Sequence, residues 1–224
     1  MRKRTSARGL GAGALCLAAT CAAAPASHAQ SDPAPAARAA RAPQIHVHER
    51  RLDVRAGRRA VVAGRLAPSA AGVRVALQVW NGRRWRTIER DRTSGSGRYA
   101  LRERVRRTGS RPVRLRNAAG AGVLPAKRTL GRLNVFRTAH ASWYGPGLYG
   151  NRLGCGGRLA PGRLGVAHKT LPCGTMVTFR HGRRSMRVPV IDRGPYVGGR
   201  EYDLTEATAR RLRFAGHGGI LTTR

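Results

Sequence analysis

An aspartate closes an apolar run at Ile191-Asp192 and is followed at once by Arg193-Gly194-Pro195-Tyr196, near the end of a 224-residue chain. Glycine permits a sharp turn there and proline fixes the exit, so the carboxylate is held on stiff backbone. A carboxyl partly shielded at a groove edge has a raised pKa and can protonate a glycosidic oxygen, the general-acid step of glycan cleavage. A plainer role fits the same residues: Asp192 caps the turn by accepting backbone N–H bonds, or pairs with Arg193. Residue type alone favours the plainer role.

His168 follows Ala167 and precedes Lys169-Thr170-Leu171-Pro172. Beside Asp192 it could orient the carboxylate or bond a sugar hydroxyl, although a lone histidine is more often a packing residue. Trp143 and Tyr144, ahead of Gly145-Pro146-Gly147, have the character of a sugar platform, with a ring stacking on a pyranose face while the indole N–H or phenol O–H reaches a hydroxyl. On an alternating strand they point to opposite sides, so one lines a groove and the other enters the core. Tyr196 extends the platform, and Arg193 completes the candidate substrate-binding set.

Residues 1–29 read as a secretory signal. Arg2, Lys3, Arg4 and Arg8 precede an apolar run from Leu10 to Ala24, and Ser27-His28-Ala29 supplies a cleavage site. The run is shorter than the roughly 20 residues of a spanning helix, so no integral membrane segment is expected in the mature chain. Cys21 is a poor lipidation site, because Ala18-Ala19-Thr20 lacks the usual large apolar residue. With Cys16 and Cys21 removed, Cys155 and Cys173 remain, an even pair in an oxidising compartment, and they should form one disulfide. A zinc site between them lacks a second ligand pair at suitable spacing. No metal or cofactor is called for.

Without the signal, 40 basic residues stand against 10 acidic ones, a net +30. Such a chain adheres to polyanions. Export and the lack of a nucleic-acid-binding motif exclude nucleic acid as the partner, leaving wall glycans with free carboxylates, teichoic-type phosphates and lipid head groups. Arg outnumbers Lys 41 to 3, a bias that high-GC coding alone produces, so part of the charge is solvated surface.

Residues 30–44, rich in Ala, Pro and Arg, read as a disordered linker. From 45 to 137 short alternating segments are separated by turns. Residues 73–80 alternate, meet Asn81-Gly82 and return as 83–90, a strong hairpin signal. Further strands are expected at 60–66, 98–104, 112–117 and 130–136. That spacing predicts an antiparallel Ig-like or fibronectin-like β-sandwich. Its acids, among them Glu89, Asp91 and Glu103, are scattered amid arginines, and it reads as a spacer or wall-adhesion module.

In residues 138–224 strands are expected at 141–144, 176–180, 187–191 and 219–223. One short helix is signalled at 207–212, after cap candidates in Asp203-Leu204-Thr205-Glu206, with Asp203 as the favoured cap, and with Arg210, Arg211 and Arg213 at its end.

Ala141-Ser142-Trp143-Tyr144-Gly145-Pro146-Gly147, Ala167-His168-Lys169-Thr170-Leu171-Pro172 and Asp192-Arg193-Gly194-Pro195 together resemble the rare lipoprotein A (RlpA) family over residues 139–224. These are peptidoglycan-cleaving and wall-binding domains related to barwins and expansins. The resemblance implies a six-stranded double-psi β-barrel, a groove role for Asp192 as acid/base with His168 as partner, and lytic transglycosylase activity on peptidoglycan glycan strands. It also marks Cys155–Cys173 as a barwin-like or expansin-like link.

One departure matters. Where family members that cleave glycan show Asn-Gly-Glu, this chain has Cys155-Gly156-Gly157, so a carboxylate is missing. A hydrolase needs two carboxyls. A lytic transglycosylase can work with one, because the substrate's own hydroxyl is the nucleophile. Glu201 is the better substitute if a second acid is required. The overall expectation is an all-β chain with one short helix, a sandwich followed by the barrel. It describes a secreted or wall-associated, monomeric protein that binds peptidoglycan and anionic wall polymers. The alternative is a non-catalytic wall-binding or wall-loosening module.

Overall fold

The computed structural model describes residues 42–224. The expected signal at 1–29 and positions 30–41 of the expected linker lie outside the described residues. Eight strands come first: β1 (Gln44–Arg51), β2 (Asp53–Arg55), β3 (Arg59–Ala67), β4 (Arg74–Trp80), β5 (Trp85–Arg92), β6 (Arg98–Arg104), β7 (Gly109–Asn117) and β8 (Lys127–Tyr144). They form a three-stranded sheet, β1-β3-β6, and an antiparallel run β5-β4-β7-β8, with the short β2 pairing parallel to β8. Val62, Leu66 and Leu101 from the first sheet and Val75, Leu77, Leu115 and Leu133 from the second share one buried cluster. Alternation explains this, since every second residue of such strands faces the other sheet.

The hairpin at Asn81-Gly82 forms with a longer loop than its sequence suggests. Trp80 pairs with Trp85, leaving four residues in the connection. Asn81 Oδ1 accepts the amide N–H groups of Arg83 (3.0 Å) and Arg84 (2.8 Å), which closes the wider loop, and the two indoles meet at 5.6 Å. On β3, Gly64 is required by close approach. A Cβ there would collide with the His46 carbonyl and the Tyr99 ring, whose hydroxyl donates to that carbonyl at 2.8 Å.

β8 does not stop where the first sheet ends. Its 18 residues pair with β7 and β2 up to Phe136, and from Arg137 onward they pair with later strands. Strands of 5–6 residues are usual, and one this long keeps its backbone satisfied only by having partners along its whole length.

The later elements are β9 (Val166–Ala167), β10 (Met176–His181), β11 (Arg184–Asp192), β12 (Tyr202–Thr205), α1 (Glu206–Leu212) and β13 (Gly218–Thr222). With the end of β8 they close a ring in the order β8-β12-β9-β11-β10-β13 and back to β8. Six strands, two of whose pairings are parallel (β8–β12 and β9–β11), make a closed barrel that fits the double-psi topology. Closure leaves no free edge. Inside lie Phe179, Val188, Val190, Tyr202, Leu204 and Leu212. Tyr202 meets Phe179 edge-on, with ring centroids 5.0 Å apart.

The helix starts at Glu206, one residue before the expected 207, but from a different cap. Its cap is Thr205, whose side chain accepts the Thr208 N–H, and not Asp203. β12 continues through Thr205, which pairs with Tyr144, so Asp203 is still in the strand and its side chain is turned toward Ser142. Arg213, with φ 53°, ends the helix in the left-handed region. Cys155 and Cys173 are joined as a disulfide, with Cα atoms 5.6 Å apart.

Candidate functional site

Asp192 is the last residue of β11 and pairs with Ala167 of β9, and the next residue on β9's side, His168, donates its amide to the Asp192 carbonyl at 3.2 Å. The two chemically suggestive residues are thus backbone neighbours. Asp192 Oδ1 accepts two amides, from Gly154 at 2.6 Å and from Arg193 at 2.8 Å. Gly154 reaches it because it lacks a side chain; a Cβ there would run into the Arg193 stem. Gly194 follows with φ +118°, in the region that favours glycine. The turn-capping role and the position at a loop-lined edge therefore coexist in one carboxylate.

The loop carrying Gly154 is a small closed unit. Leu153 N–H donates to the Gly157 carbonyl (3.0 Å), Gly156 N–H to Leu153 (2.9 Å) and Leu159 N–H to Asn151 (3.0 Å). Leu153 and Leu159 are buried against Ile191, and the Cys155 amide bonds the Ile191 carbonyl at 3.2 Å. Packing and disulfide together fix the loop to β11. Gly157, where the family pattern has glutamate, has φ +76°. A side chain is strained in that conformation.

His168 Nδ1 accepts the amides of Thr170 (3.1 Å) and Leu171 (3.0 Å). That network assigns its proton to Nε2. Burial, joined by the charges of Arg137, Arg193 and Lys169, outweighs the attraction of Glu201 and holds its pKa below the ordinary histidine value. The ring lies 5.0 Å from that of Tyr202. Among the described residues the imidazole makes no hydrogen bond to the Asp192 carboxylate, so the side-chain partnership expected from sequence is replaced by a backbone one. Arg193 Nη1 donates to the carbonyls of His168 (3.2 Å) and Leu171 (2.9 Å), and Nη2 to Cys173 Sγ (2.9 Å). Its guanidinium clamps the His168 loop to the Asp192 turn.

The remaining barrel acids are engaged by side chains. Glu201 makes a two-point contact with Arg137, one arm of which measures 2.9 Å. Although burial raises its pKa, the Arg137 bond and charge prevail and lower it, which favours the ionised form of Glu201 over a proton donor. Glu206 bonds the Tyr149 hydroxyl and pairs with Arg210 at 3.6 Å. Asp203 accepts from Ser142 Oγ, to which Arg200 also donates at 3.2 Å. Among the barrel acids, Asp192 alone has backbone amides as its partners of full hydrogen-bond geometry, with the Tyr144 phenol beside it.

Trp143 is 37% exposed and Tyr196 84%, while Tyr144 packs half-buried against the Leu153–Leu159–Ile191 cluster. The Tyr144 hydroxyl is buried with no partner of hydrogen-bond geometry among the described residues. Burial first, and the Asp192 charge second, push its pKa well above the ordinary phenol value. Asp203 contributes too. Both Asp203 and Asp192 stand in register with Ala167, on the strands either side of β9, a juxtaposition not legible in sequence because it depends on two non-adjacent pairings. The parity that puts Ser142 and Tyr144 on one face of β8 was the available signal.

A family model described as "Lytic transglycolase" matches residues 137–222. A probable endolytic peptidoglycan transglycosylase RlpA of Synechocystis sp. is 37% identical over 139 residues, covering 56% of this chain and 43% of that protein. The endolytic peptidoglycan transglycosylase RlpA of Campylobacter jejuni is 42% identical over 74 residues, 32% of this chain and 27% of that one. A probable RlpA of Aquifex aeolicus is 41% identical over 76 residues, 33% of each. The chain spans less than half the length of these relatives.

Proposed function

We propose that residues 137–222, which match the lytic transglycosylase family model and resemble RlpA proteins, make the chain an exported cell-wall protein that cleaves peptidoglycan glycan strands as an endolytic transglycosylase. The observation carrying this reading is the Asp192 carboxylate, fixed by two backbone amides on a rigid turn and free of any competing side-chain cation. In the reaction the Asp192 carboxyl gives its proton to the glycosidic oxygen as the bond to C1 breaks. Its carboxylate then takes the proton of the same sugar's C6 hydroxyl as that oxygen closes on C1. The products are a shortened strand and a 1,6-anhydro end, and the acid is regenerated. One carboxyl suffices for both steps, so the glycine at 157 does not remove the chemistry.

His168 serves as a neutral donor through Nε2 to a sugar oxygen, and the unpartnered Tyr144 hydroxyl donates to Asp192 or to substrate. Trp143 and Tyr196 offer stacking faces. Residues 45–137 act as an Ig-like or fibronectin-like spacer before the barrel at 138–224, and the excess positive charge holds the protein to anionic wall polymers. The signal at 1–29 directs it there, as a monomer.

The test is a digest of purified peptidoglycan, intact and stripped of stem peptides, by the oxidised chain and by Asp192→Asn, with products read by mass spectrometry. Anhydro ends that vanish in the variant support the proposal. Reducing ends indicate hydrolysis instead. Tight pelleting with the wall and no product in either form identifies a non-catalytic binding or wall-loosening module.

A further inference from the structure

Away from Asp192, where β8 leaves the first sheet and enters the barrel, lies an open cleft of about 550 Å³. Arg50 and Arg51 from the end of β1, Arg132 from β8, Arg180 from β10, Arg187 from β11 and Arg183 from the turn between those two strands converge on it. Asp53 is the one carboxylate in the lining, and its Oδ1 already accepts Asn134 Nδ2 at 2.6 Å. Elsewhere in the barrel arginines are given acids: Arg137 has Glu201 and Arg210 has Glu206. Here, among the described residues, the single ion pair is the exposed contact of Arg51 with Glu49 at 3.4 Å, which leaves the other five arginines without an acid.

Three of the guanidiniums, those of Arg50, Arg132 and Arg180, are nevertheless anchored. Arg50 Nη1 donates to the Leu130 carbonyl (3.1 Å), Arg132 Nε to Ser110 Oγ (2.7 Å), and Arg180 to the carbonyls of Gly182 (3.1 Å) and Asp53 (3.3 Å). Neutral acceptors fix position without cancelling charge. Burial, with the neighbouring Arg187 charge second, lowers the pKa of Arg132, a sign of like charges held together. The basic surface also continues past the cleft. Arg51 and Asp53 are shared with an adjoining depression lined by Arg55, Arg58 and Arg104, and Arg180 with a second that Arg55 and His181 also line. Partly anchored, mostly uncompensated and extended, such a track suits a chain of anionic groups better than one small ion. Guanidinium forks from both walls match the two free oxygens of a phosphodiester, which stays charged at any working pH.

We propose that this seam is a second binding site, separate from the Asp192 groove, for a linear phosphodiester-linked polymer such as a chain of alditol phosphates. It gives a chemical identity to the anionic partner without depending on glycan cleavage, since it shares no lining residue with the groove.

The experiment titrates the full oxidised chain with a labelled poly(glycerol phosphate) of defined length at several salt concentrations. It is repeated for the triple variant Arg180→Gln/Arg183→Gln/Arg187→Gln and for a control that removes equal charge from exposed positions outside the cleft, Arg86→Gln/Arg106→Gln/Arg107→Gln. The cleft triple should weaken binding tenfold or more and reduce the salt slope by about 2 to 3, as expected for lost phosphate contacts, while the control changes little. Equal losses in the two triples would mean diffuse attraction and overturn the site. Polyglutamate of matched charge binding the parent as tightly would overturn the phosphodiester assignment. Should the triple fail to fold, Arg183→Glu on the exposed turn replaces it and is read by the same criteria. Wall digestion by the cleft variants separates the two proposals: loss of phosphate binding with cleavage intact leaves the groove reading untouched.

Discussion

The two-sheet region and the barrel draw on the same arginine-rich, strand-forming sequence and hold an aspartate in the same way, yet set it among different neighbours. Asp91 in β5 is satisfied as Asp192 is, accepting the Arg92 amide at 2.8 Å and the Ala100 amide at 2.7 Å, and so passes the same test of backbone amide partners. It lies, however, on a strand whose neighbours in space, β4 and β6, are also its neighbours in sequence. Asp192 lies where loops from residues 151–159, 168–174 and 193–201 meet. Hairpin topology gathers local residues; barrel closure with parallel crossings gathers distant ones. The carboxylate itself is not what distinguishes the two regions.

Exchanging the roles of these two aspartates gives the largest expected effect. Asp192→Asn should lower the yield of anhydro-ended wall fragments by about 100-fold or more, the usual contribution of a positioned acid. Asp91→Asn should leave yield within twofold, and a comparable loss from Asp91→Asn would break the contrast. Next comes the core. Phe179→Ala in the barrel should cost about 3–5 kcal/mol and Leu77→Ala in the two-sheet region about 2–5 kcal/mol, both residues being fully buried. Because β8 belongs to both regions, denaturant unfolding should show one transition that either variant shifts. Two separable transitions, each moved by one variant only, would show that β8 does not couple them.

Removing the disulfide with Cys155→Ser/Cys173→Ser frees a loop of sequence separation 18 and replaces the sulfur to which Arg193 Nη2 donates, for about 3 kcal/mol of lost stability. The loss should appear together with faster proteolysis around Gly154. An unchanged unfolding midpoint would mean that loop packing alone holds the groove.

The smallest effects concern pH. His168 has its pKa lowered in the folded state, so the unfolded chain binds the proton more readily. Its contribution is complete above the unfolded value near 6.5 and is lost as pH falls from there through the folded value. His168→Asn should flatten that part of the stability curve. Glu201, also lowered, contributes above the ordinary carboxylate range and loses its contribution in more acidic solution. As the Arg137–Glu201 pair is about a third exposed on each side, Glu201→Gln should cost less than about 1 kcal/mol at neutral pH. A slope below pH 6.5 that survives His168→Asn would point to another titrating group.

Much of the fold was legible because it is written locally. Alternation marked the strands that became β3, β4, β6 and β7, and the Thr205-Glu206 start and the arginine-rich end marked α1. Turn chemistry misled at Asn81, where the side chain supports four loop residues rather than two. β9 and β12 escaped notice because strands of 2 and 4 residues are too short to show a period. The helix cap was misplaced for the same reason, since β12 continues through the favoured cap residue.

Of the site, residue types in short motifs singled out Asp192, His168, the aromatics and the cysteine pair. They could not reveal that His168 turns its Nδ1 to its own loop, that Arg193 is a clamp, or that Glu201 is taken by Arg137. Those facts depend on which strands lie side by side, and a parallel pairing such as β8–β12 joins residues some sixty positions apart. By itself the sequence determined the strand-forming segments, the single helix, the oxidisable cysteine pair and the excess of positive charge, all properties of neighbours along the chain or of composition. Only the tertiary structure decided which carboxylate stays free of side-chain cations and where the mostly uncompensated arginines converge, because burial and electrostatics act through space between groups that barrel closure brings together.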